Sequence, residues 1–177
     1  RIVQIDERRP FRLYIRMEFT AIILAAGKGT RMRSSLAKPL HKVGGHPMLG
    51  WSIDAATAAG AKRIVTVLSP GSESIQSWLN GAPFAIQEQQ LGTGNAVAAA
   101  REAIEREEGV AVVMFADTPL VTAESIASLA RTVEDGVSLT VAAFEAADPS
   151  GYGRVVCDDK GGITRIVEDR DATNEER

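Results

Sequence analysis

The sequence has one cysteine, Cys157, so no intrachain disulfide can form and a cysteine-based zinc site lacks its ligands. A lone thiol of this kind is expected as a small buried hydrophobe. Histidine is nearly as scarce. His41 and His46 flank Lys42-Val43-Gly44-Gly45 and read as loop residues, not as metal ligands or a general base. No Ser-His or Cys-His set offers a side-chain nucleophile. No run approaches the ~18 consecutive apolar residues of a membrane span. The net charge of −3 argues against nonspecific nucleic-acid binding and against an anionic membrane surface, though it leaves room for a local cationic pocket. Internal repeats and low-complexity segments are absent as well.

A chain of 177 residues, 45% hydrophobic and 24% charged, suits one soluble domain with a sizeable core. Residues 1–16 stand apart from it. Arg1, Arg8, Arg9, Arg12 and Arg16 alternate with Asp6, Glu7 and Pro10, without the apolar centre of a secretory signal. The acids also count against a transit peptide. Residues 1–16 therefore read as a disordered extension. Met17 is a candidate start, and residues 17–177 carry the domain.

The most informative stretch is Ala21-Ile22-Ile23-Leu24-Ala25-Ala26-Gly27-Lys28-Gly29-Thr30-Arg31-Met32. Ala21 to Ala25 has the length and apolarity of a buried parallel strand. Gly27 and Gly29 then free the backbone to approach a ligand, and Lys28 and Arg31 add positive charge. A strand end with bare N–H groups and two cations describes a polyphosphate site. It is neither a Walker A loop, whose spacing fails, nor a dinucleotide fingerprint, whose third glycine is here Met32. The plainer alternative is a strand-to-loop turn with two solvated cations.

Further along, Pro47 suits a helix start and Gly60 a stop. Arg63–Leu68 reads as a strand, Ser72–Leu79 as a short helix, Phe84–Ile86 as a strand and Gly92–Glu107 as a helix. Val110–Phe115 is the most strand-like run. Thr122, Glu124 and Ser125 open another helix. Ser138–Phe144 is expected as a strand. Tyr152–Cys157 and Ile163–Val167 read as a hairpin around Asp159-Lys160-Gly161-Gly162. The alternation implies an α/β fold: a Rossmann-like open, mainly parallel sheet with a small β-hairpin extension. In such sheets ligands bind beyond the carboxyl ends of the strands, where the glycine loop and Asp117 both fall.

Three features could carry chemistry there. Asp117 follows an apolar strand; it reads as a Mg²⁺ ligand bridging to substrate phosphates, or as a turn residue with Thr118-Pro119. The turn from Gln87 to Gly94 is rich in Gln, whose amide both donates and accepts and so suits a nucleobase edge; a plain capped loop is the alternative. Lys38, before Pro39, is a second cation placed to reach phosphate, or a solvated surface lysine.

Leu24 through Met32 with Lys38-Pro39 resembles the signature of sugar-1-phosphate nucleotidylyltransferases. Four further motifs sharpen the likeness: Gln87 through Gly94, Ala116-Asp117-Thr118-Pro119-Leu120, Gly151-Tyr152-Gly153-Arg154-Val155 and Ile166-Val167-Glu168. In this order, from about Thr20 to the end of the chain, the set resembles the uridyltransferase domain of the bacterial bifunctional N-acetylglucosamine-1-phosphate uridyltransferase/glucosamine-1-phosphate acetyltransferases.

The resemblance implies a sheet of the nucleotide-diphospho-sugar transferase type and a Mg²⁺-dependent, cytoplasmic enzyme. UTP and N-acetylglucosamine 1-phosphate would give UDP-N-acetylglucosamine, a precursor of peptidoglycan and lipopolysaccharide, and pyrophosphate. It implies that Leu24, Ala25, Ala26 and Gly27 line the UTP site. Arg31 and Lys38 would hold the phosphates and the charge of the transition state. Gln87 and Gly92 would read uracil, with Thr93 closing over the uridine and sugar side. Asp117 would bind Mg²⁺, and Gly153 and Glu168 would contact the N-acetylglucosamine. Two departures stand out. Phe115-Ala116 replaces a Tyr-Gly common before the metal aspartate. The two asparagines that complete the family's site, and the β-helix expected to carry acetyl transfer and homo-oligomer contacts, do not appear by Arg177. The competing readings are a cytidylyl- or guanylyltransferase with the same opening loop, and a non-catalytic nucleotide-sugar binding module.

Overall fold

The structure is a computed structural model that describes residues 18–27, 29, 32–105, 108–134 and 137–176. The extension expected over residues 1–16 lies outside these residues, as do Lys28 and Arg31. The described residues fall into two compact units, 18–140 and 141–176.

The larger unit is built on β1 (Phe19–Leu24), five of whose six residues are buried. Strands covered on both faces read as continuous apolar runs, and β1 is such a strand. It pairs in parallel with β4 (Ala61–Leu68) on one side and β6 (Val110–Phe115) on the other. Adding β5 (Phe84–Ile86) gives a four-stranded parallel sheet in the order β5-β4-β1-β6. Between β1 and β4 lie a 3-10 turn at Lys38–Leu40, the two-residue strands β2 (Lys42–Val43) and β3 (His46–Pro47), and α1 (Met48–Ala59).

Helices cover both faces. On one, Phe19, Ala21 and Ile23 pack with Val112 and Met114 of β6, Leu49 and Ala56 of α1, and Ile126 and Ala130 of α5 (Ala123–Glu134). Ile75 and Leu79 of α2 (Glu73–Leu79) join that cluster. On the other face, Ile22, Val65 and Val67 meet Ala96 and Ala100 of the helical segment after β5. Each face takes alternate residues of β1, as strand geometry requires. Ser52, 2% exposed, has its hydroxyl 3.3 Å from the carbonyls of both Met48 and Phe115, linking α1 to the carboxyl end of β6.

Four expectations need correction. The helix expected over Gly92–Glu107 is two pieces, α3 (Thr93–Ala99) and α4 (Arg101–Ile104); at Ala100, with ψ −4, the ladder tightens to three-residue bonds, the Ala100 N–H donating to the Val97 carbonyl and the Ala103 N–H to the Ala100 carbonyl, both at 3.0 Å. The strand expected over Ser138–Phe144 does not form. That stretch connects the two units, and Leu139 and Phe144 are about two-thirds exposed, so no neighbouring strand pairs it. His46 belongs to β3 instead of a loop, packing edge-to-face on Trp51 with Nε2 3.1 Å from Asp54. Cys157 is exposed, because it lies on a two-stranded hairpin with open alternate positions.

That hairpin, β7 (Arg154–Cys157) and β8 (Ile163–Val167), forms the smaller unit with antiparallel pairing. Asp169 closes it, accepting from the Gly151 N–H at 3.0 Å and from the Arg154 guanidinium at 3.0 Å. Among the described residues no helix is long and apolar enough to cross a membrane.

Candidate nucleotide site

The chain runs from β1 outward through β4 to β5, then returns to place β6 on the opposite side of β1. That reversal is a topological switch point, where the loops after β1 and β6 diverge and leave a crevice. Leu24 sits in register with Phe115, and the Ala116 N–H donates to the Leu24 carbonyl at 3.0 Å. The glycine loop and Asp117 therefore stand side by side.

An open cleft of about 300 Å³ occupies this position. Leu24, Ala25, Ala26, Gly27, Lys38, Gln87, Gly92, Thr93 and Asp117, all singled out from the sequence, line it together. Arg31, the other expected phosphate contact, lies outside the described residues. Gly153 and Glu168 belong to the smaller unit. There Gly153 runs against the Val167 carbonyl, which a Cβ would meet at 3.4 Å, and Glu168 lines a depression with Gly151, Asp169 and Arg170.

Lys38 reaches the cleft because of its turn and its neighbour. Ala37 and Lys38 supply the carbonyls of the 3-10 turn, accepting from the Leu40 and His41 N–H groups, and the buried Pro39 anchors it. Gly29 has φ +58, a conformation favourable to glycine, and a Cβ there would come within 2.7 Å of the Lys38 Cβ. The absence of that Cβ lets the lysine stem pass. Its Nζ ends 2.5 Å from Asp117 Oδ2, with 33% and 42% of the two side chains exposed. A half-exposed pair of this kind is held weakly, since water and salt screen it.

Among the described residues Asp117 is the one carboxylate lining the cleft, and they hold no cluster of three or more metal-binding side chains. This donor set fits a hard cation that draws most of its ligands from phosphate and water. Mg²⁺ commonly binds that way, through one or two carboxylates plus substrate phosphates.

The far wall comes from the Gln-rich turn. Gln87, 4% exposed, is held by its backbone N–H to the Leu68 carbonyl at 2.8 Å. Its Nε2 donates to the Gly92 carbonyl at 3.1 Å and to Asn95 Oδ1 at 2.8 Å. Gly92 has φ 107 and ψ −177, a backbone region open essentially to glycine, which lets the chain enter α3 while facing the cleft. Gln90, which no sequence signal distinguishes within its turn, also lines the cleft and donates to the Ala26 carbonyl at 3.1 Å. Its signal was present as a third glutamine of the turn, but nothing in the spacing separated it from Gln89. Pro39, Ala96, Phe115 and Ala116 complete the lining. The Phe115-Ala116 pair puts apolar groups beside Asp117.

Residues 21–161 match the MobA-like NTP transferase domain. The chain belongs to the MobA-like NTP transferase family. Within curated relatives, it is 49% identical over 161 residues to the bifunctional protein GlmU of Parvibaculum lavamentivorans. It is 47% identical over 159 residues to that of Halalkalibacterium halodurans. Each alignment covers 89% of this chain and 35% of the relative, so the chain spans about a third of their length. Among solved structures, HddC from Yersinia pseudotuberculosis complexed with GMP-PN matches with TM-score 0.66 and 26% identity. That match covers 84% of this chain and 68% of HddC. Rv0371c from Mycobacterium tuberculosis shares the fold at TM-score 0.58 and 19% identity, over 67% of this chain and 62% of that one. The family is one of nucleotidyltransferases, and the parallel sheet with its hairpin is the architecture its sequence motifs imply.

Proposed function

We propose that the cleft serves uridylyl transfer from UTP to N-acetylglucosamine 1-phosphate, giving UDP-N-acetylglucosamine and pyrophosphate. The observation that carries the proposal is the meeting of Lys38 and Asp117 beside the glycine loop at the switch point. One cation and one carboxylate there can manage the charge of a triphosphate. The identity to bifunctional GlmU proteins supports the choice of substrates. The chain is then part of the nucleotidyltransferase domain of a longer enzyme.

In this reaction an ionised oxygen of the sugar phosphate attacks the α-phosphorus of UTP. A new P–O bond forms as the bond to the β-phosphate bridging oxygen breaks, and pyrophosphate leaves with that electron pair. The attacking oxygen is already ionised, so no general base is required. Rate enhancement comes from positioning and charge neutralisation. The backbone of Ala25 to Gly27 would bracket the nucleotide, and Gln87 and Gly92 would meet its base. Thr93 would close over the ribose, while Lys38 and Arg31 would offset charge at the phosphates. A divalent cation held by Asp117, Mg²⁺ on this reading, would neutralise charge on the triphosphate.

The test is pyrophosphate release by this chain and by a longer protein carrying it, with N-acetylglucosamine 1-phosphate, Mg²⁺ and each NTP in turn. Release dependent on UTP and the sugar phosphate is expected of the longer protein. Preference for CTP or GTP would overturn the substrate assignment. Tight UTP binding by calorimetry without turnover in the longer protein would assign the cleft to binding alone.

A further inference from the structure

Asn95 does not line the cleft, yet it touches the one buried side-chain amide that does. Amide oxygen and nitrogen are hard to tell apart by shape, so their placement must follow from their partners. Here the partners decide it. The Gly92 carbonyl can only accept, and it already receives the Ala96 N–H at 3.1 Å as the first bond of α3. The Gln87 atom facing it at 3.1 Å must therefore be the NH₂ group. The second hydrogen of that group then points at Asn95, which must answer with its own oxygen, at 2.8 Å. Both amide hydrogens of Gln87 are consumed. Its Oε1 has no partner among the described residues and is not sealed from the cleft that Gln87 lines.

We infer that Asn95 is a positioning residue for base selection: by locking the Gln87 amide, it leaves an acceptor alone to meet the base. This rests on the reading of the cleft as a nucleotide site. An acceptor facing the middle of a base's pairing edge takes a ring N–H, which uracil presents at N3. Cytosine has a bare ring nitrogen at that position and repels it. Size does not separate these two pyrimidines, so the discrimination falls to hydrogen bonding. Sites built to pair a given polar edge reject the analogue whose edge leaves buried groups unpaired. Without the half-buried Asn95 oxygen, the Gln87 amide keeps only its bond to the Gly92 carbonyl and can tilt about it, so Oε1 no longer holds its place at the cleft.

Binding of MgUTP and MgCTP is measured by calorimetry on the full chain and on the variants Asn95→Leu, Asn95→Ala and Asn95→Asp, with inorganic triphosphate as a base-free control. The unsubstituted chain is expected to prefer UTP. Asn95→Leu and Asn95→Ala should shrink the UTP-to-CTP preference by about tenfold, the worth of one hydrogen bond, while triphosphate affinity holds. Asn95→Asp keeps the acceptor and should keep the preference, even if its charge weakens all three ligands alike. Unchanged preference in a folded Leu or Ala variant would overturn the role of Asn95 and leave the proposed function standing. An unsubstituted chain that does not distinguish UTP from CTP would remove the uridylyl assignment, and this inference with it.

Discussion

Replacing Lys38 with methionine should push two properties of the site in opposite directions. Methionine keeps an unbranched stem beside Gly29 and deletes the charge. In the structure Nζ lies 2.5 Å from Asp117 Oδ2, so the ammonium occupies the carboxylate that the proposed mechanism assigns to a divalent cation. Exposed pairs contribute about 0.2–1 kcal/mol, and 33% and 42% exposure puts this one in that class. The fold should lose no more than that, a melting shift under about 4 °C for a chain of this size. The same free energy is what a competing cation must overcome to reach Asp117. Mn²⁺ titrated into the chain without nucleotide, read by electron paramagnetic resonance, should therefore bind up to about fivefold more tightly to Lys38→Met. Turnover in the longer protein should instead fall by about 10²–10³, as when one transition-state stabilising donor is removed. Tighter metal with slower chemistry is the signature of a lysine that guards Asp117 at rest and moves to phosphate in the reaction. An Mn²⁺ affinity equal to or below that of the unsubstituted chain would refute the competition. Undiminished turnover would refute the phosphate role.

Two other perturbations separate structural from ligand-facing roles. Gly29→Ala places a Cβ 2.7 Å from that of Lys38 at φ +58 and should cost about 1–2 kcal/mol of stability. Gly27→Ala meets nothing within 4 Å and should melt within about 0.5 kcal/mol of the original, yet weaken UTP because its methyl enters the cleft; equal stability losses at both glycines would contradict this assignment. Glu124, at the start of α5, has its carboxyl held below the usual range by its own backbone N–H and then by the Thr122 hydroxyl. A lowered folded pKa contributes stability that is present above the unfolded value and lost as pH falls through the folded one. The melting advantage of the original over Glu124→Gln should thus be full at neutral pH and vanish in acid; an advantage constant across that range would exclude this linkage.

Much of this site was legible in the linear sequence. β1 announces itself as an apolar run because it is paired on both sides and buried on both faces, and burial of a strand is written directly in composition. β6 is as apolar, yet it ends the described sheet with Val113 and Phe115 exposed. The glycine loop, Lys38, the Gln-rich turn and Asp117 each carried local chemistry. For each, a bland alternative remained open: a solvated lysine, a capped loop, an Asp turn. Local pattern also misled. Ser138–Phe144 has strand composition, but a strand exists only if a neighbour offers hydrogen bonds, and that stretch connects two units instead. Cys157 has the composition of a core residue but sits on a hairpin with open positions.

The sequence by itself determined the alternation of strands and helices, the family motifs and the chemical types available at the cleft. Period and composition are local properties, and the chain states them outright. Only the tertiary structure decided which of those groups meet. It put β6 next to β1, 79 positions separating Lys38 from the Asp117 it pairs with, and it set Asn95 behind Gln87. A side chain's partner depends on strand order and on the direction of a hydrogen bond in space. Neither is carried by any short window of residues, because both are fixed only when distant segments share one sheet.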